Sequence, residues 1–176
     1  KKNKSYGTTT LQGKHIKVKN KNELVIDFNG KKNVRNVCTV KNKKLVKTLR
    51  QKKRTINNDD RIFTYRKGEK YYNIKSSDVN KYLKQFGKFT AKDFRTWGAN
   101  IEFIKELVKN KNSELKKCIE NVAIKLHNTP SICKSNYLDP ELMEFYKNDK
   151  EGFREYFNFK TDTSLYNQYI HFLEDL

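Results

Sequence analysis

The first forty residues alternate apolar and polar positions with the two-residue period of β-strands. Three segments follow this pattern: HIKVK, ELVIDF and NVCTV. The apolar residues of the second segment share one face: Leu24, Ile26 and Phe28. Asn29-Gly30, which follows the second segment, is typical of a short hairpin turn. The pattern predicts a three-stranded antiparallel sheet within residues 8–41, with Lys31 and Lys32 at a hairpin tip.

From residue 42 onward, the apolar positions recur with the 3.6-residue period of α-helices. The segment LVKTLRQKKR predicts a basic helix, and INNDDR predicts a loop. Capping residues indicate two further helix starts: Ser77 before one apolar stripe, and Thr90 with Asp93 three residues later. Residues 42–176 are therefore expected to form a helical region.

The clearest amphipathic helix has one apolar face: Leu115, Cys118, Ile119, Val122, Ala123 and Leu126. Pro130 is expected to stop this helix, because proline breaks the helical hydrogen-bond pattern. Asp139-Pro140 provides the cap and the first residue of the next helix. A last helix is predicted by another apolar run: Leu165, Tyr169, Phe172, Leu173 and Leu176. The chain is expected to be mainly α with a small N-terminal antiparallel β-sheet, in one domain over residues 1–176.

The chain is strongly basic, with 39 Lys and Arg residues against 20 Asp and Glu and a formal net charge of +19. Such an excess is typical of proteins that bind a polyanion, usually nucleic acid. An AT-rich coding sequence would also raise lysine and asparagine, so part of the charge has a second explanation. The hydrophobic fraction of 35% is enough for a core, which argues against disorder throughout.

The cysteines do not indicate a disulfide framework or a zinc site, because Cys38, Cys118 and Cys133 are odd in number, widely spaced and outside any CxxC pair. We expect a reducing, intracellular setting. No apolar run approaches the roughly 18 residues that a membrane span needs. The start at Lys1 rather than at a methionine indicates a fragment or a processed form.

Candidate chemistry centres on HNTPSICKSNY, the segment that ends at Tyr137. The polar residues that could act with a tyrosine are Lys31, Arg95 and the His127-Asn128 pair. Taken alone, each of them has a common explanation without catalysis: a solvated turn lysine, a surface arginine and a pair of residues at a helix end. No glycine-rich phosphate loop, HExxH motif or serine elbow is present, so the common metal and nucleotide enzymes are not indicated.

Longer segments change this interpretation. In FTAKDFRTWGAN, LHNTPSICKSNYLDPEL and FNGKKNV, the chain resembles the catalytic domain of type IB DNA topoisomerases. The small poxvirus-like and mimivirus-like enzymes and their bacterial relatives are the most similar subgroup. SSDVNKYLKQFG fits the same family, so the resemblance extends over nearly the whole chain from YGTTTLQGKH onward. It implies the catalytic fold that type IB topoisomerases share with tyrosine recombinases.

The resemblance also implies a role for single residues. Tyr137 matches the nucleophile that forms a 3′-phosphotyrosyl bond, and Arg95 matches the second catalytic arginine, which contacts nonbridging phosphate oxygens. Lys31 matches the hairpin lysine that protonates the departing 5′ oxygen. Asn128 falls where viral enzymes often have histidine and many bacterial relatives have asparagine, so we prefer it to His127, which lies one position early.

The family nicks one strand of duplex DNA, lets supercoils relax and religates without ATP, metal or nucleotide cofactor. The resemblance implies the same reaction for this chain, acting as a monomer without a membrane partner. If the source is viral, the expected location is the virion or the site of viral replication. Three more basic residues are expected to contact DNA: Lys32, Lys92 and Lys134. The family's first catalytic arginine and its clamp domain precede the segment matched by Lys1 to Gly7. We therefore expect both to be absent and cleavage by this chain alone to be slow.

Two other functions remain open. A tyrosine recombinase has the same catalytic fold, but usually carries a histidine three residues before the second arginine, where this chain has Lys92. A DNA-binding module without catalysis is compatible with the net charge and with the start of the chain. A supercoil-relaxation assay separates the three, because only the topoisomerase relaxes DNA without specific partner sites.

Overall fold

A computed structural model describes residues 5–109 and 114–176, although not the side chain of Lys32. The chain divides into two compact units, an N-terminal unit (1–88) and a C-terminal unit (89–176). The N-terminal unit contains these elements: β1 Ile16–Val18, β2 Leu24–Asn29, β3 Arg35–Val40, α1 Lys43–Arg54, β4 Thr64–Lys67, β5 Lys70–Asn73 and α2 Ser76–Leu83. The C-terminal unit contains these: α3 Ala91–Lys109, α4 Leu115–Lys125, α5 Pro130–Asn136, α6 Pro140–Asn148, α7 Lys150–Tyr156 and α8 Asp162–Glu174.

The predicted three-stranded sheet is confirmed. The strand order is β1-β2-β3 with antiparallel pairing, and Ile26 lies between Ile16 on one side and Cys38 on the other. Leu24 is fully buried, and Ile26 and Phe28 pack on the same core. Helix α1 covers this core with the buried side chains of Val46 and Leu49. The apolar face read from the alternation is therefore the inner face of β2.

The turn between β2 and β3 differs from the prediction. Asn29 is still paired with Arg35, and the loop runs from Gly30 to Val34 with a short 3₁₀ turn at Lys31–Asn33. Gly30 has a φ of −89°, so it does not take the left-handed conformation that a type I′ turn requires. The close approach of Asn36 favours glycine here, because a Cβ at this position would lie 2.7 Å from the Asn36 Nδ2.

Residues 42–176 are not purely helical, because β4 and β5 form a second antiparallel hairpin. The helix start predicted at Ser77 is also wrong by two residues. Lys75 is the N-cap residue, and its amide donates to the Asp78 carboxylate at 2.8 Å. An acidic residue at the third helical position therefore supplies the cap that serine was expected to give.

The C-terminal unit is built around one aromatic and aliphatic core. Its largest fully buried side chains come from four segments: Phe103, Ile104, Leu107, Leu142, Tyr146, Phe153, Phe157 and Leu165. The apolar face predicted for α4 is confirmed, with Cys118, Ile119, Val122 and Ala123 buried. Helix α7, which was not predicted, lies on this core through Phe153.

Two predicted helix boundaries in this unit are corrected. Pro130 does not stop α4, which ends at Lys125; it is instead the first residue of α5. Helix α8 ends at Glu174, so Leu176 lies beyond it, and Leu173 and Leu176 are exposed rather than on the core face. In the described ranges no helix is both long and apolar enough to cross a bilayer.

Candidate active site

Helix α3 positions the predicted arginine. Its start is fixed as the sequence indicated, because the Thr90 amide donates to the Asp93 carboxylate at 2.7 Å. Lys92 and Arg95 lie in the first two turns, three residues apart and therefore on one side of the helix. Both side chains are exposed, whereas the buried residues of the helix begin at Ala99. The buried part of α3 anchors the exposed basic part.

The end of α4 explains the position of His127. Its φ is +52°, and two backbone hydrogen bonds close the helix: the His127 amide to the Ile124 carbonyl at 3.0 Å, and the Asn128 amide to the Ala123 carbonyl at 2.9 Å. This is the Schellman arrangement, in which glycine usually takes the left-handed position. His127 therefore has a backbone role in ending α4.

Helix α5 carries the predicted nucleophile at its C-terminal end. The Thr129 side chain caps the helix by accepting from the Ile132 amide, and Pro130 occupies the first position. Tyr137 follows the last helical residue, and its amide donates to the Cys133 carbonyl at 3.1 Å. Cys133 is buried, Tyr137 is half-buried, and Lys134 is exposed. The core thus holds α5 and leaves Tyr137 partly exposed.

Arg95, Tyr137 and the end of α4 meet within the C-terminal unit. The Arg95 guanidinium carbon lies 5.2 Å from the centroid of the Tyr137 ring. Arg95 also donates from Nη2 to the Leu126 carbonyl at 2.6 Å. A cation over an aromatic ring at this distance is attracted to the face of the ring. The structure therefore brings together the two residues that the sequence placed 42 positions apart.

Asn128 lies on the same connection, two residues beyond Leu126. Its side chain is half-buried, and its Nδ2 atom is buried without a hydrogen-bond partner among the described residues. A buried amide donor without a partner costs free energy that a bound acceptor would recover. The choice of Asn128 over His127 as a phosphate contact stays a prediction.

Asn100 is a residue that the sequence analysis missed. It is buried, with 2% of its surface exposed, and lies on α3 five residues after Arg95. Its side-chain amide donates to the Tyr137 carbonyl at 3.1 Å and to the Thr96 carbonyl at 3.2 Å, and accepts from the Asp139 amide at 2.9 Å. A polar residue within the apolar face of α3 was the available signal. Asn100 ties the helix that carries Arg95 to the backbone on both sides of Leu138.

Burial and charge set the protonation of two groups beside the tyrosine segment. Burial raises the pKa of the Cys133 thiol, an effect that the nearby Arg95 charge opposes. Burial also raises the pKa of Tyr169, and the neighbouring Asp139 carboxylate adds to this shift. The Tyr169 hydroxyl donates to Asp139 at 3.3 Å. Asp139 is therefore held by a neutral phenol and by Asn100, which fixes the chain just after Tyr137.

The lysine predicted at the hairpin tip lies in the N-terminal unit. Lys31 begins the 3₁₀ turn between β2 and β3, and its side chain is exposed. Lys32 is the next residue of this turn, and its side chain lies outside what the structure describes. In the described residues, no group of three or more His, Cys, Asp or Glu side chains is arranged to hold a metal ion.

Comparison with known proteins places the chain in a family. Residues 1–163 match the family described as eukaryotic DNA topoisomerase I, catalytic core, and the chain belongs to that family. Among viral relatives, DNA topoisomerase 1B of Acanthamoeba polyphaga mimivirus is 32% identical over 175 residues, covering 89% of this chain and 51% of the relative. This similarity places the chain with the poxvirus-like and mimivirus-like type IB enzymes, as the sequence motifs predicted.

Two poxvirus proteins show the same extent of similarity. DNA topoisomerase 1B of Vaccinia virus (strain Copenhagen) is 32% identical over 157 residues, and DNA topoisomerase I of Monkeypox virus is 31% identical over 157 residues. Each alignment covers 84% of this chain and 47% of the relative. The chain therefore spans about half the length of the curated relatives it matches.

We expect Asn100→Ala to slow DNA cleavage while leaving DNA affinity nearly unchanged. The substitution leaves the Tyr137 carbonyl and the Asp139 amide without their partner, which costs about 1–3 kcal/mol of stability. It also frees the tyrosine segment from α3, and a misplaced reacting group typically costs up to about 10²-fold in rate. Single-turnover cleavage and binding should be measured at a temperature where the variant is folded.

Asn121→Ala is the matched control, because it removes another side-chain amide of the C-terminal unit, one that donates to Glu106 on α3 at 2.9 Å. It should lower stability without a comparable loss of cleavage rate. Equal rate losses in both variants would show that Asn100 acts only through general stability.

We also expect substitutions at His127 and Asn128 to have different effects on stability and on the rate of DNA cleavage. His127→Gly should raise the free energy of unfolding by about 0.5–1 kcal/mol, because the roughly 1–2 kcal/mol penalty of a left-handed residue other than glycine exceeds the roughly 0.5–1 kcal/mol entropic cost of glycine. The same variant should cleave DNA at the wild-type rate, whereas Asn128→Ala should cleave more slowly. Thermal unfolding and single-turnover cleavage check the two parts. A larger rate loss for His127→Gly than for Asn128→Ala would reverse the assignment.

Proposed function

We propose that this chain carries the catalytic chemistry of a type IB DNA topoisomerase acting on duplex DNA. The observation that carries the proposal is the Arg95 guanidinium 5.2 Å from the ring of Tyr137, within one compact unit. Membership of the topoisomerase I catalytic-core family supports it, as does the similarity to DNA topoisomerase 1B of the mimivirus. The net charge of +19 supports binding to the phosphate backbone.

In the proposed reaction, the Tyr137 hydroxyl oxygen attacks the phosphorus of one phosphodiester. A bond forms between this oxygen and the 3′ phosphate while the bond from phosphorus to the 5′ oxygen breaks. The phenolic proton is lost to solvent, and the departing 5′ oxygen takes a proton from Lys31. Attack by the 5′ hydroxyl on the phosphotyrosine reverses the step. The covalent intermediate conserves the phosphoester bond, so resealing needs no ATP.

Arg95 would stabilise the charge that develops on the nonbridging oxygens in the transition state. A guanidinium has several donors in one plane and can pair with two oxygens at once, which an ammonium cannot. The contact with Leu126 holds this group beside the tyrosine before DNA binds. Asn128 would donate its side-chain amide to the same phosphate. Lys32, Lys92 and Lys134 would contact the DNA backbone.

The alternatives are less well supported. The matches to DNA topoisomerases do not favour a tyrosine recombinase or a DNA-binding module without catalysis. The chain has Lys92 where recombinases usually have histidine, which also favours the topoisomerase over the recombinase. Relaxation of supercoiled plasmid without partner sites is the activity that separates the three functions.

We expect Tyr137→Phe to abolish the covalent protein–DNA adduct while DNA affinity stays within about twofold. Phenylalanine keeps the ring that packs beside Arg95 and removes the nucleophilic oxygen. The adduct should be trapped on a nicked suicide duplex and mapped by mass spectrometry. Tyr82→Phe is the control, since Tyr82 is an exposed tyrosine of α2. An adduct mapped to another tyrosine, or none with the wild-type chain, would refute the proposal for this chain.

We expect a 5′-bridging sulfur in the DNA to rescue Lys31→Ala but not Arg95→Ala. Removing a general acid typically slows a reaction by about 10²–10⁴-fold, and a thiolate leaves without needing that proton. Arg95 acts on the nonbridging oxygens, so its loss should persist with the sulfur substrate. Lys19→Ala removes the same charge from an exposed position and is the control. Equal rescue of both variants would exclude Lys31 as the general acid.

A further inference from the structure

The β4–β5 hairpin exposes three aromatic rings that contribute little to the core. Tyr65, Tyr71 and Tyr72 are 46%, 67% and 43% exposed, and neither strand contains a buried residue. Apolar surface is normally withdrawn from water, so a concentration of exposed rings on ten residues of chain indicates a binding surface. The proposed cleavage reaction uses none of these residues.

The strand register organises the rings and charges of this hairpin. Tyr65 lies opposite Tyr72, and their rings stack at 5.7 Å with an angle of 24°. Lys67 lies opposite Lys70 two residues further along, so alternation of side chains places both lysines on the face that carries the stacked rings. We call this the tyrosine–lysine face: Tyr65, Tyr72, Lys67 and Lys70.

The other face of the hairpin has a different environment. Tyr71 has the Lys52 ammonium of α1 at 5.2 Å from its ring, and this ammonium also donates to the Thr64 hydroxyl at 2.7 Å. Helix α1 therefore supports the hairpin from that side. On the tyrosine–lysine face, Lys67 and Lys70 form no ion pair with any residue in the described part of the chain.

We propose that the tyrosine–lysine face binds unpaired DNA, with bases stacked on the tyrosine rings and phosphates beside the two lysines. Exposed aromatic rings beside basic side chains are the recurring features of single-strand binding surfaces, because every base has a face that can stack. A duplex keeps its bases inside and would use the lysines without the rings. The inference rests on the proposed function only in taking DNA as the partner.

The charge of the segment agrees with a nucleic acid rather than an apolar or basic partner. Arg66, Lys67, Lys70 and Lys75 are exposed, and Glu69 in the turn is the only acidic residue of the segment from Thr64 to Lys75. One donor of the Arg66 guanidinium already has a partner within the chain, because its Nε donates to the Gly68 carbonyl at 2.8 Å. An apolar partner would leave these cations without counterions, and a basic partner would be repelled.

The test is the affinity for a fluorescent oligo-dT strand, measured by anisotropy with the full chain. The double variant Tyr65→Thr/Tyr72→Thr keeps β-forming residues in register but removes both rings. It should bind oligo-dT about 20-fold or more weakly, since each stacking contact typically contributes at least about fivefold. Its affinity for a blunt duplex should stay within about twofold. Tyr65→Phe/Tyr72→Phe, which keeps both rings, should bind oligo-dT like the wild-type chain.

Two controls separate this inference from the proposed function. Tyr82→Leu removes an exposed tyrosine outside the hairpin and should leave oligo-dT affinity unchanged. Tyr137→Phe, which stops the proposed cleavage, should also bind oligo-dT normally. Loss of cleavage in Tyr137→Phe together with unchanged oligo-dT binding in the threonine variant would overturn the inference and leave the topoisomerase proposal standing.

A second measurement needs no substitution, so it holds even if the threonine variant fails to fold. Photocrosslinking of the wild-type chain to an oligo-dT strand that contains 5-iodouracil should map to Tyr65 or Tyr72. Crosslinks that map entirely outside the hairpin would overturn the inference.

In the affinity measurement, an equal loss of oligo-dT affinity in the phenylalanine and threonine variants would also overturn the inference. The hydroxyl groups rather than the rings would then be responsible for binding.

Discussion

The three hydrogen bonds of the Asn100 side chain determine how the tyrosine segment meets the arginine helix. Asn100 lies in the buried part of α3, and it bonds the backbone on both sides of Leu138. Buried backbone groups must be paired, so this contact admits few alternative positions for Tyr137. The Leu126 carbonyl then holds Arg95 over the same ring. One buried amide thus links two elements of the candidate site.

Several acidic residues of the C-terminal unit form ion pairs with lysines outside the candidate site. Lys125 pairs with Glu102 at 2.8 Å and with Glu106 at 2.9 Å, between α4 and α3. Lys105 pairs with Asp162 at 2.7 Å. Lys92 and Lys134, in contrast, form no ion pair with any residue that the structure describes. Their charges are left for an external anion, which agrees with the proposed contact to a phosphate backbone.

Local sequence patterns predicted most of the helices and strands. The elements and boundaries that were predicted wrongly also have local explanations. The three strands and α4 were predicted because a regular apolar period records which face is buried. The β4–β5 hairpin was missed because its strands are exposed, so no apolar alternation marks them. Pro130 was misread because proline both ends helices and begins them, and the Thr129 cap that decides between these was not considered.

The sequence by itself determined the family, the basic character and the identity of the candidate residues, because motifs and composition are properties of the chain. Only the tertiary structure decided that Arg95 contacts Tyr137, that His127 ends α4 in a left-handed conformation, and that Asn100 is the buried link. These contacts join residues up to 42 positions apart in the sequence, between Arg95 and Tyr137. Their geometry depends on how α3, α4 and α5 pack on a shared core, and no local pattern in the sequence records that packing.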